Sequence, residues 1–386
     1  MKKIIILIFI IFIMCPSYCL ASDSSYISQE QILNSQKDSV NIGKFLKEAE
    51  KYTKDVFKDT NYSELLNSAI AGNIDNKALA SNILSFLGKE TLGSLKTIAS
   101  IMIVIIVHSI LKSISEGLDN KGIAQISYYI QYILIVTLIM ANFADIITMV
   151  KNSVTNLVAF SNLLIPILIT LVLTTGNVVS ANILQPILLF IITFAGNFIL
   201  NVVIPVLLAS TALGMVSKIS SHIQLDRLSK FFKSSVVWVL GVVLTLFVSL
   251  VSIEGSLSSS VDGLTAKTAK AAVSSFIPVV GKILGDAVDT VIGCASILKN
   301  AVGIIGVIVI IGICIGPIIK LVLLMSTYYI GSAICEPIAD EKIVKLLSQM
   351  GDTFKVMLAI LCSLSVMLII GTTLVIKISN SGLMYR

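Results

Sequence analysis

The sequence predicts an all-α, polytopic helical membrane protein with an N-terminal signal sequence and a short extracytoplasmic helical segment. Apolar residues occupy 56% of the 386 positions and charged residues only 13%, with a mean hydropathy of +0.96. Soluble proteins average about 45–50% apolar and about 25% charged residues. The charges are also unevenly distributed: residues 22–96 hold nine Lys and ten acidic residues, whereas residues 97–217 hold six charges in all. The first stretch can face water, and the second requires lipid.

Residues 1–21 have the three parts of a secretory signal. Two lysines follow the initial Met, the stretch Ile4–Met14 is apolar, and small residues precede Ser22 as a cleavage site. The alternative is an uncleaved first membrane anchor. Both interpretations place the chain from Ser22 onward outside the cytoplasm.

Residues 22–96 are predicted to form short amphipathic helices, because apolar side chains recur every three or four positions and charged residues fill the opposite face. The apolar stripes are Ile42, Phe45, Leu46, Ala49, Tyr52 and Val56; Tyr62, Leu65, Leu66, Ala69 and Ile70; and Leu79, Ile83, Phe86 and Leu87. A segment this short is marginal for an independent core. We therefore expect its helices to pack on each other and on the membrane part.

Residues 97–253 and 301–386 hold the predicted spans, since about 20 helical residues cross a hydrocarbon core. The candidate spans are Thr97–Leu111, Ile123–Ile147, Leu157–Thr175, Ile183–Ser217, Val236–Ile253, Ala301–Ile334 and Phe354–Ile376. Ile183–Ser217 and Ala301–Ile334 are too long for one straight span and contain proline and glycine. Each is either a tight hairpin or one helix that breaks and continues, which gives seven to nine crossings in total.

The basic loop Lys218–Lys233 predicts the orientation, because short basic loops stay in the cytoplasm. With Ser22 outside, Lys151 then lies in an outside loop, and Ile183–Ser217 must cross the membrane twice. Residues 254–300 follow outside, as extracytoplasmic or interfacial amphipathic helices. A double crossing by Ala301–Ile334 would leave a cytoplasmic C-terminal tail.

The most distinctive feature is a predicted helix that begins near Pro278. At 100° per residue its apolar side chains cover about 220°, whereas Lys282, Asp286 and Asp289 lie within about 60° on the opposite side. This charged seam cannot face lipid, because a charge at the bilayer centre costs about 2.5–3.5 kcal/mol. It is either the solvated side of an interfacial helix or the lining of a pore or subunit contact. The candidate assembly or path-lining residues are Pro278, Lys282, Asp286, Asp289, Lys299, Asn300 and Lys320.

Three further ionisable residues interrupt apolar stretches. Lys320 follows Pro317 and is either a snorkelling residue at the end of a span or an intramembrane cation paired with Asp286, Asp289 or Glu336. We interpret His108 as a hydrogen-bonded residue within a span. We interpret Asp145 as a residue at the membrane interface.

Several functional classes are disfavoured. The net charge of +6 is dispersed and the chain has one Trp, so no nucleic-acid surface is indicated. Two His and six Cys without CxxC spacing do not form a zinc site or a disulfide framework, and the cysteines are expected to pack as small apolar residues. Because no nucleophile, histidine and carboxylate are grouped, we expect neither enzymatic activity nor a cofactor.

Three segments between Val261 and Lys320 resemble the stage III sporulation protein AE family. They are Phe276-Ile-Pro-Val-Val-Gly-Lys, Asp286-Ala-Val-Asp289 and Lys299-Asn-Ala-Val-Gly-Ile-Ile-Gly306. The resemblance implies an integral protein of the mother-cell membrane that surrounds the forespore of an endospore-forming bacterium. Its implied partners are other subunits of a channel- or secretion-like complex and a forespore membrane protein across the intermembrane space, and its implied role is late forespore development.

Two functional hypotheses follow. In the first, the chain is a non-enzymatic subunit of a channel or export apparatus, present as one copy or as a homo-oligomer. The residues of the charged seam then contact other subunits or line the path. In the second, it is a self-sufficient secondary transporter whose two long, interrupted segments surround a transport site. The second hypothesis assigns a role in transport to Lys320 or Asp145.

Overall fold

The computed structural model describes residues 29–54, 56–57, 60–73, 121–219, 225–276, 280–337 and 339–381, with isolated positions between 77 and 110. The side chains of residues 121–125 and 254–287, and of a few other positions, are outside that description. Within these ranges every element is a helix, which confirms the all-α class. The signal sequence and the residue His108 lie outside the described residues, and their assignments stay predictions.

The N-terminal segment consists of helices α1 (Gln29–Ser39), α2 (Ile42–Thr53) and α3 (Tyr62–Ile70). Helix α2 buries Ile42, Phe45 and Ala49, as the spacing of its apolar residues predicts. Helix α3 begins at an asparagine cap, since the Asn61 side chain accepts hydrogen bonds from two backbone N–H groups of its first turn. Beyond its end Gly72 adopts a left-handed φ of 72°. The first two predicted amphipathic helices are therefore confirmed.

The membrane part consists of α4 (Lys121–Thr174), α5 (Val178–Phe198), a π-helical turn (Ile199–Val203), α6 (Ile204–Ile219), α7 (Asp226–Phe276), α8 (Val280–Cys335) and α9 (Glu341–Ser381). Among the described residues, five stretches are long and apolar enough to cross a membrane: Tyr132–Thr174, Val178–Lys218, Asp226–Ile253, Val288–Cys335 and Glu341–Ile378. The chain is thus a multi-pass membrane protein. With 56 residues, α8 is about 84 Å long and extends beyond a hydrocarbon core of about 30 Å.

Two predictions about the membrane part are wrong. Ile123–Ile147 and Leu157–Thr175 are not separate spans, because α4 is one helix that carries Lys151 in its middle. Ile183–Ser217 does not form a hairpin, because α5 continues through the π-helical turn into α6. The wider π-helical turn precedes Pro205, whose ring would clash with a backbone carbonyl in a regular α-helix.

Ala301–Ile334 also follows a single path. Helix α8 contains Pro317 and continues without a break to Cys335. Both long stretches therefore take the second alternative, a helix that continues. The predicted total of seven to nine crossings stays a prediction, because most of the candidate span Thr97–Leu111 lies outside the described residues.

The bundle has two distinguishable ends. The basic end contains the α6–α7 connection, where the Lys218 ammonium lies 2.5 Å from the Asp226 carboxylate. The opposite end, here called the N-terminal end, contains α1 and the start of α8, and the N-terminal segment runs from there along α8 as far as Gly312. The last turns of α9 lie at this N-terminal end as well, because Ile376 contacts Lys299 of α8. An extracytoplasmic N-terminal segment and a cytoplasmic C-terminal tail are therefore incompatible, since α8 crosses once and α9 returns to the same end.

Candidate functional site

The candidate site is built around α8, the central helix, which packs against the N-terminal segment, α4, α7 and α9. Three glycines of α8 face three different neighbours. A Cβ atom on Gly303 would overlap Ile376 of α9, and one on Gly306 would lie 2.5 Å from Leu164 of α4. A Cβ atom on Gly312 would lie 2.8 Å from side chains of the N-terminal segment. The missing side chains are what lets these elements approach α8 so closely.

Lys299 lies one turn before Gly303 and is fully buried, with 0% of its surface exposed. Its ammonium donates a hydrogen bond to the Ile376 carbonyl oxygen at 2.5 Å. A charge-assisted bond, close to the negative end of the α9 dipole, offsets part of the cost of burying the charge. In this structure Lys299 therefore joins α8 to α9 and does not reach solvent.

Asn300 is half-buried beside Lys299. Its Oδ1 atom is buried and accepts no hydrogen bond from any described residue. An unsatisfied buried acceptor costs about 1–3 kcal/mol. Asn300 is thus a point at which the described structure leaves a polar atom unsatisfied.

Lys320 is half-buried in the second half of α8. The predicted pairing with Glu336 or Asp289 of the same chain is wrong, because Asp289 and Lys320 lie along one continuous helix and Glu336 directly follows its last residue. At a rise of about 1.5 Å per residue, Glu336 is about 24 Å from Lys320 along the axis and Asp289 about 46 Å. Neighbours three and four positions away are the ones a helical side chain reaches.

The charged seam lies in the first three turns of α8. Lys282 and Asp286 belong to this helix, although their side chains are outside the described set, as is the whole of Pro278. Asp289 is half-buried and takes part in an interaction within the chain. The seam is therefore not on a separate surface helix: it lies on the same continuous helix as the buried span.

The N-terminal segment packs on α8 and α4, beginning at this end and continuing to Gly312 of α8. The Gln36 amide donates a hydrogen bond to the Val291 carbonyl oxygen at 3.1 Å. The ring of Phe45, which is fully buried, packs on Phe160 of α4 with centroids 5.8 Å apart. The segment predicted to pack on the membrane part does so.

Within the segment, α2 and α3 are joined by a hydrogen bond between the hydroxyl groups of Thr53 and Tyr62. Burial raises the pKa of Tyr62. The phenol therefore stays protonated and uncharged in the folded protein.

The basic end is held by polar contacts that sequence reasoning missed. The Lys233 ammonium donates to the Gln349 carbonyl oxygen at 3.0 Å, and the Gln349 amide donates to the Thr211 carbonyl oxygen at 3.2 Å. The Tyr329 hydroxyl donates to the Asp352 carboxylate at 2.7 Å. No spacing in the sequence signals these contacts, because they join α6, α7, α8 and α9 across long separations.

Two smaller features complete the site. The described cysteines are free, and Cys294, Cys314 and Cys335 are buried, which confirms their predicted packing role. An apolar cleft of about 10 Å³ beside the π-helical turn, enough for about one water, is lined by Ala195, Phe198, Ile199, Leu240, Val243, Leu244, Ser363, Leu364 and Met367.

A family model described as stage III sporulation protein AE matches residues 60–379, which include α3 to α9 apart from the last two residues of α9. The chain belongs to the stage III sporulation protein AE family. The curated stage III sporulation protein AE of Bacillus subtilis (strain 168) is 29% identical to it over 304 residues, which cover 79% of this chain and 76% of that protein. No solved structure matches the chain significantly. The resemblance seen between Val261 and Lys320 is confirmed.

This AE-family chain is therefore a multi-pass membrane protein of sporulation. The matched region begins after α2, so the family match leaves out the part of the N-terminal segment that holds Phe45. The structure nevertheless packs that part against α4.

We expect Phe45→Ala to detach the N-terminal segment from α4, because truncating a buried Phe costs about 3–5 kcal/mol. Limited proteolysis of the protein in open membrane fragments measures this as faster cleavage between α1 and α3. The matched control is Lys47→Ala on the exposed side of α2. Equal protection of the two variants would contradict the packing described here.

Proposed function

We propose that this chain is a non-enzymatic membrane subunit of a sporulation-specific, secretion-like channel complex that links mother cell and forespore and supports late forespore development. Membership of the stage III sporulation protein AE family supports the sporulation role. The observation that carries the rest is the arrangement at the N-terminal end. There the start of α8 continues the buried central helix, and the N-terminal segment packs on the same helix at Val291.

This arrangement suits assembly with other proteins. Charged residues on the first turns of a helix that continues as a buried span are held in position by that span, whereas the same residues on a loop would have no defined place. The partners we propose are other subunits of the complex and a forespore membrane protein across the intermembrane space. The site in the cell we propose is the mother-cell membrane around the forespore.

The orientation we propose follows from charge. Lys218, Arg227, Lys230 and Lys233 lie at the basic end, and short basic segments stay in the cytoplasm. The N-terminal end then faces the intermembrane space. The C-terminal end of α9 faces the same space.

A self-sufficient secondary transporter is the second candidate, and three observations disfavour it. Transport sites of that class lie between discontinuous helices, whereas α5–α6 and α8 are continuous. Lys320 reaches none of the acids that were expected to pair with it, because they lie too far away along the chain of α8 or just after its end. The cleft at the π-helical turn is apolar and has room for about one water.

The test is to neutralise the two acids of the charged seam. We expect Asp286→Asn with Asp289→Asn to abolish most heat-resistant spore formation while the protein still accumulates in membranes. The matched control, Glu341→Gln at the exposed start of α9, should leave spore yield unchanged. Normal spore yield from the double variant would count against the proposal. Solute uptake by the purified protein alone in lipid vesicles would favour the transporter.

A further inference from the structure

The exposed face of α4 is polar or small over about the length of a membrane crossing. Its exposed side chains are Ala141, Ala144, Asp145, Thr148, Lys151, Asn152, Thr155, Ala159 and Asn162. From the first to the last of these, α4 rises about 32 Å. We call this surface the polar face of α4.

Contacts with neighbouring helices show the depth of this face. Tyr132 of α4 donates to the Met215 carbonyl oxygen of α6, and Asn162 of α4 accepts from Thr193 of α5 at 3.3 Å. The polar face therefore lies alongside residues 193–215 of the antiparallel span. The α6 end of that span is level with Ser229 of α7, which contacts Ser210.

At this depth α7 presents apolar side chains to its surroundings. Its large exposed residues are Leu228, Phe231, Val237, Trp238, Val242, Leu246, Val248, Leu250 and Ile253. A surface of this composition is suited to lipid. The polar face of α4 occupies the same depth with the opposite chemistry.

The neighbouring span extends the polar surface. Gly196 of α5 lies directly against Val158 of α4, which brings the two helices close together. Just beyond that contact Asn197 and Asn201 are exposed, followed by Ala209 and Ala212 of α6. The same span also exposes Phe194 and Val202, so the polar surface continues onto it only in part.

Asp145 and Lys151 are the two charges on the polar face. Both are exposed, and neither side chain forms an ion pair or a hydrogen bond with any residue in the described ranges. They are separated by about 9 Å along α4 and by about 120° around it, so they do not pair with each other. Because each charge facing lipid costs about 2.5–3.5 kcal/mol, the polar face is not a lipid surface.

We propose that a second copy of this chain covers the polar face, with its own α4 packed parallel to the first about a two-fold axis normal to the membrane. Both copies insert with the same orientation, so the axis must run along the membrane normal. Asp145 and Lys151 lie on opposite flanks of the exposed arc. The two-fold rotation therefore places Asp145 of each copy on the same side of the contact as Lys151 of the other copy.

The heights of the two charges fit this pairing. Helical side chains lean toward the N-terminus of their helix, so the long Lys151 side chain leans toward the level of Asp145 in the parallel copy. The rotation generates two such pairs. The second copy therefore neutralises every charge on the polar face.

The centre of the face allows the close approach that this requires. Thr148, Thr155 and Ala159 lie near the middle of the exposed arc, and small residues at a helix contact let two backbones approach. The hydroxyl groups of Thr148 and Thr155 already donate to carbonyl oxygens of their own helix, at 3.0 and 2.9 Å. These threonines can therefore pack through their methyl groups without leaving a donor unpaired.

The test is disulfide cross-linking of the full chain in membranes of a bacterium that does not sporulate, with the native cysteines replaced. We expect Thr148→Cys and Ala159→Cys to give a dimer twice the mass of the chain on oxidation. The matched control, Leu246→Cys on the exposed apolar side of α7, should stay monomeric. Asp145→Lys should abolish the Thr148→Cys dimer, and adding Lys151→Asp should restore it.

Three results would overturn the proposal. They are the absence of a dimer from membrane-inserted Thr148→Cys and Ala159→Cys, equal cross-linking at Leu246→Cys, and a cross-linked product whose mass shows a different protein. The last result would assign the polar face to another membrane protein. Because the assay uses no sporulating cell, its outcome is independent of the proposed function.

Discussion

Replacing Lys299 by glutamate is expected to destabilise the contact between α8 and α9 more than any other single change to the candidate site. The lysine is fully buried and its ammonium donates to the Ile376 carbonyl oxygen. A carboxylate at this position would face a carbonyl oxygen and the negative end of the α9 dipole. An uncompensated buried charge costs about 3–5 kcal/mol. The measurement is the thermal midpoint of the purified protein in detergent, together with its level in membranes.

Lys299→Met is the matched control, because it keeps the length of the side chain and removes the charge. Replacing a buried charge by an apolar side chain of similar volume is often neutral or stabilising. We therefore expect the Met variant to unfold close to the wild-type temperature. Equal thermal midpoints for the Glu and Met variants would show that Lys299 is not enclosed between α8 and α9.

Gly303→Val is expected to have the second largest effect, because it separates the same two helices by steric overlap. A Cβ atom on Gly303 would overlap the Ile376 side chain, and the branched valine side chain has little rotamer freedom in a helix. Overpacking of a core costs about 1–3 kcal/mol. The free energy of unfolding in detergent should fall by about that amount.

A second substitution distinguishes overlap from a general intolerance of α8 to valine. Ile376→Ala removes the overlapping atoms, so the double variant Gly303→Val with Ile376→Ala should recover stability relative to either single change. The control on the same helix is Gly293→Ala, because a Cβ atom there meets no other atom within 4 Å. Strictly additive losses in the double variant would refute the proposed overlap.

The sequence accounts for much of the candidate site. The block from Lys299 to Gly306 was singled out by resemblance, and its Lys and two Gly are the residues at which α8 meets α9 and α4. The functions of these residues were not visible in the sequence. Their partners Ile376 and Leu164 are ordinary apolar residues within apolar stretches, and no pattern distinguishes them from their neighbours.

The errors share a physical cause. The prolines of Ile183–Ser217 and the charge of Lys151 were interpreted as signs of a turn, because both disfavour an uninterrupted apolar helix in lipid. A π-helical turn accommodates Pro205 within a continuing path. Lys151 lies on an exposed polar face that the remainder of α4 supports.

Composition and periodicity alone determined that this protein is helical and crosses a membrane, and that its first helices are amphipathic. These properties follow from local chemistry, because a backbone in lipid must satisfy its own hydrogen bonds and side chains repeat with the helical period. Only the tertiary structure decided how the long helices continue, that Lys299 is enclosed by α9, and that Asp145 and Lys151 share an exposed face. Each of these depends on which residues of distant segments meet, and apolar helices of similar composition do not encode that choice locally.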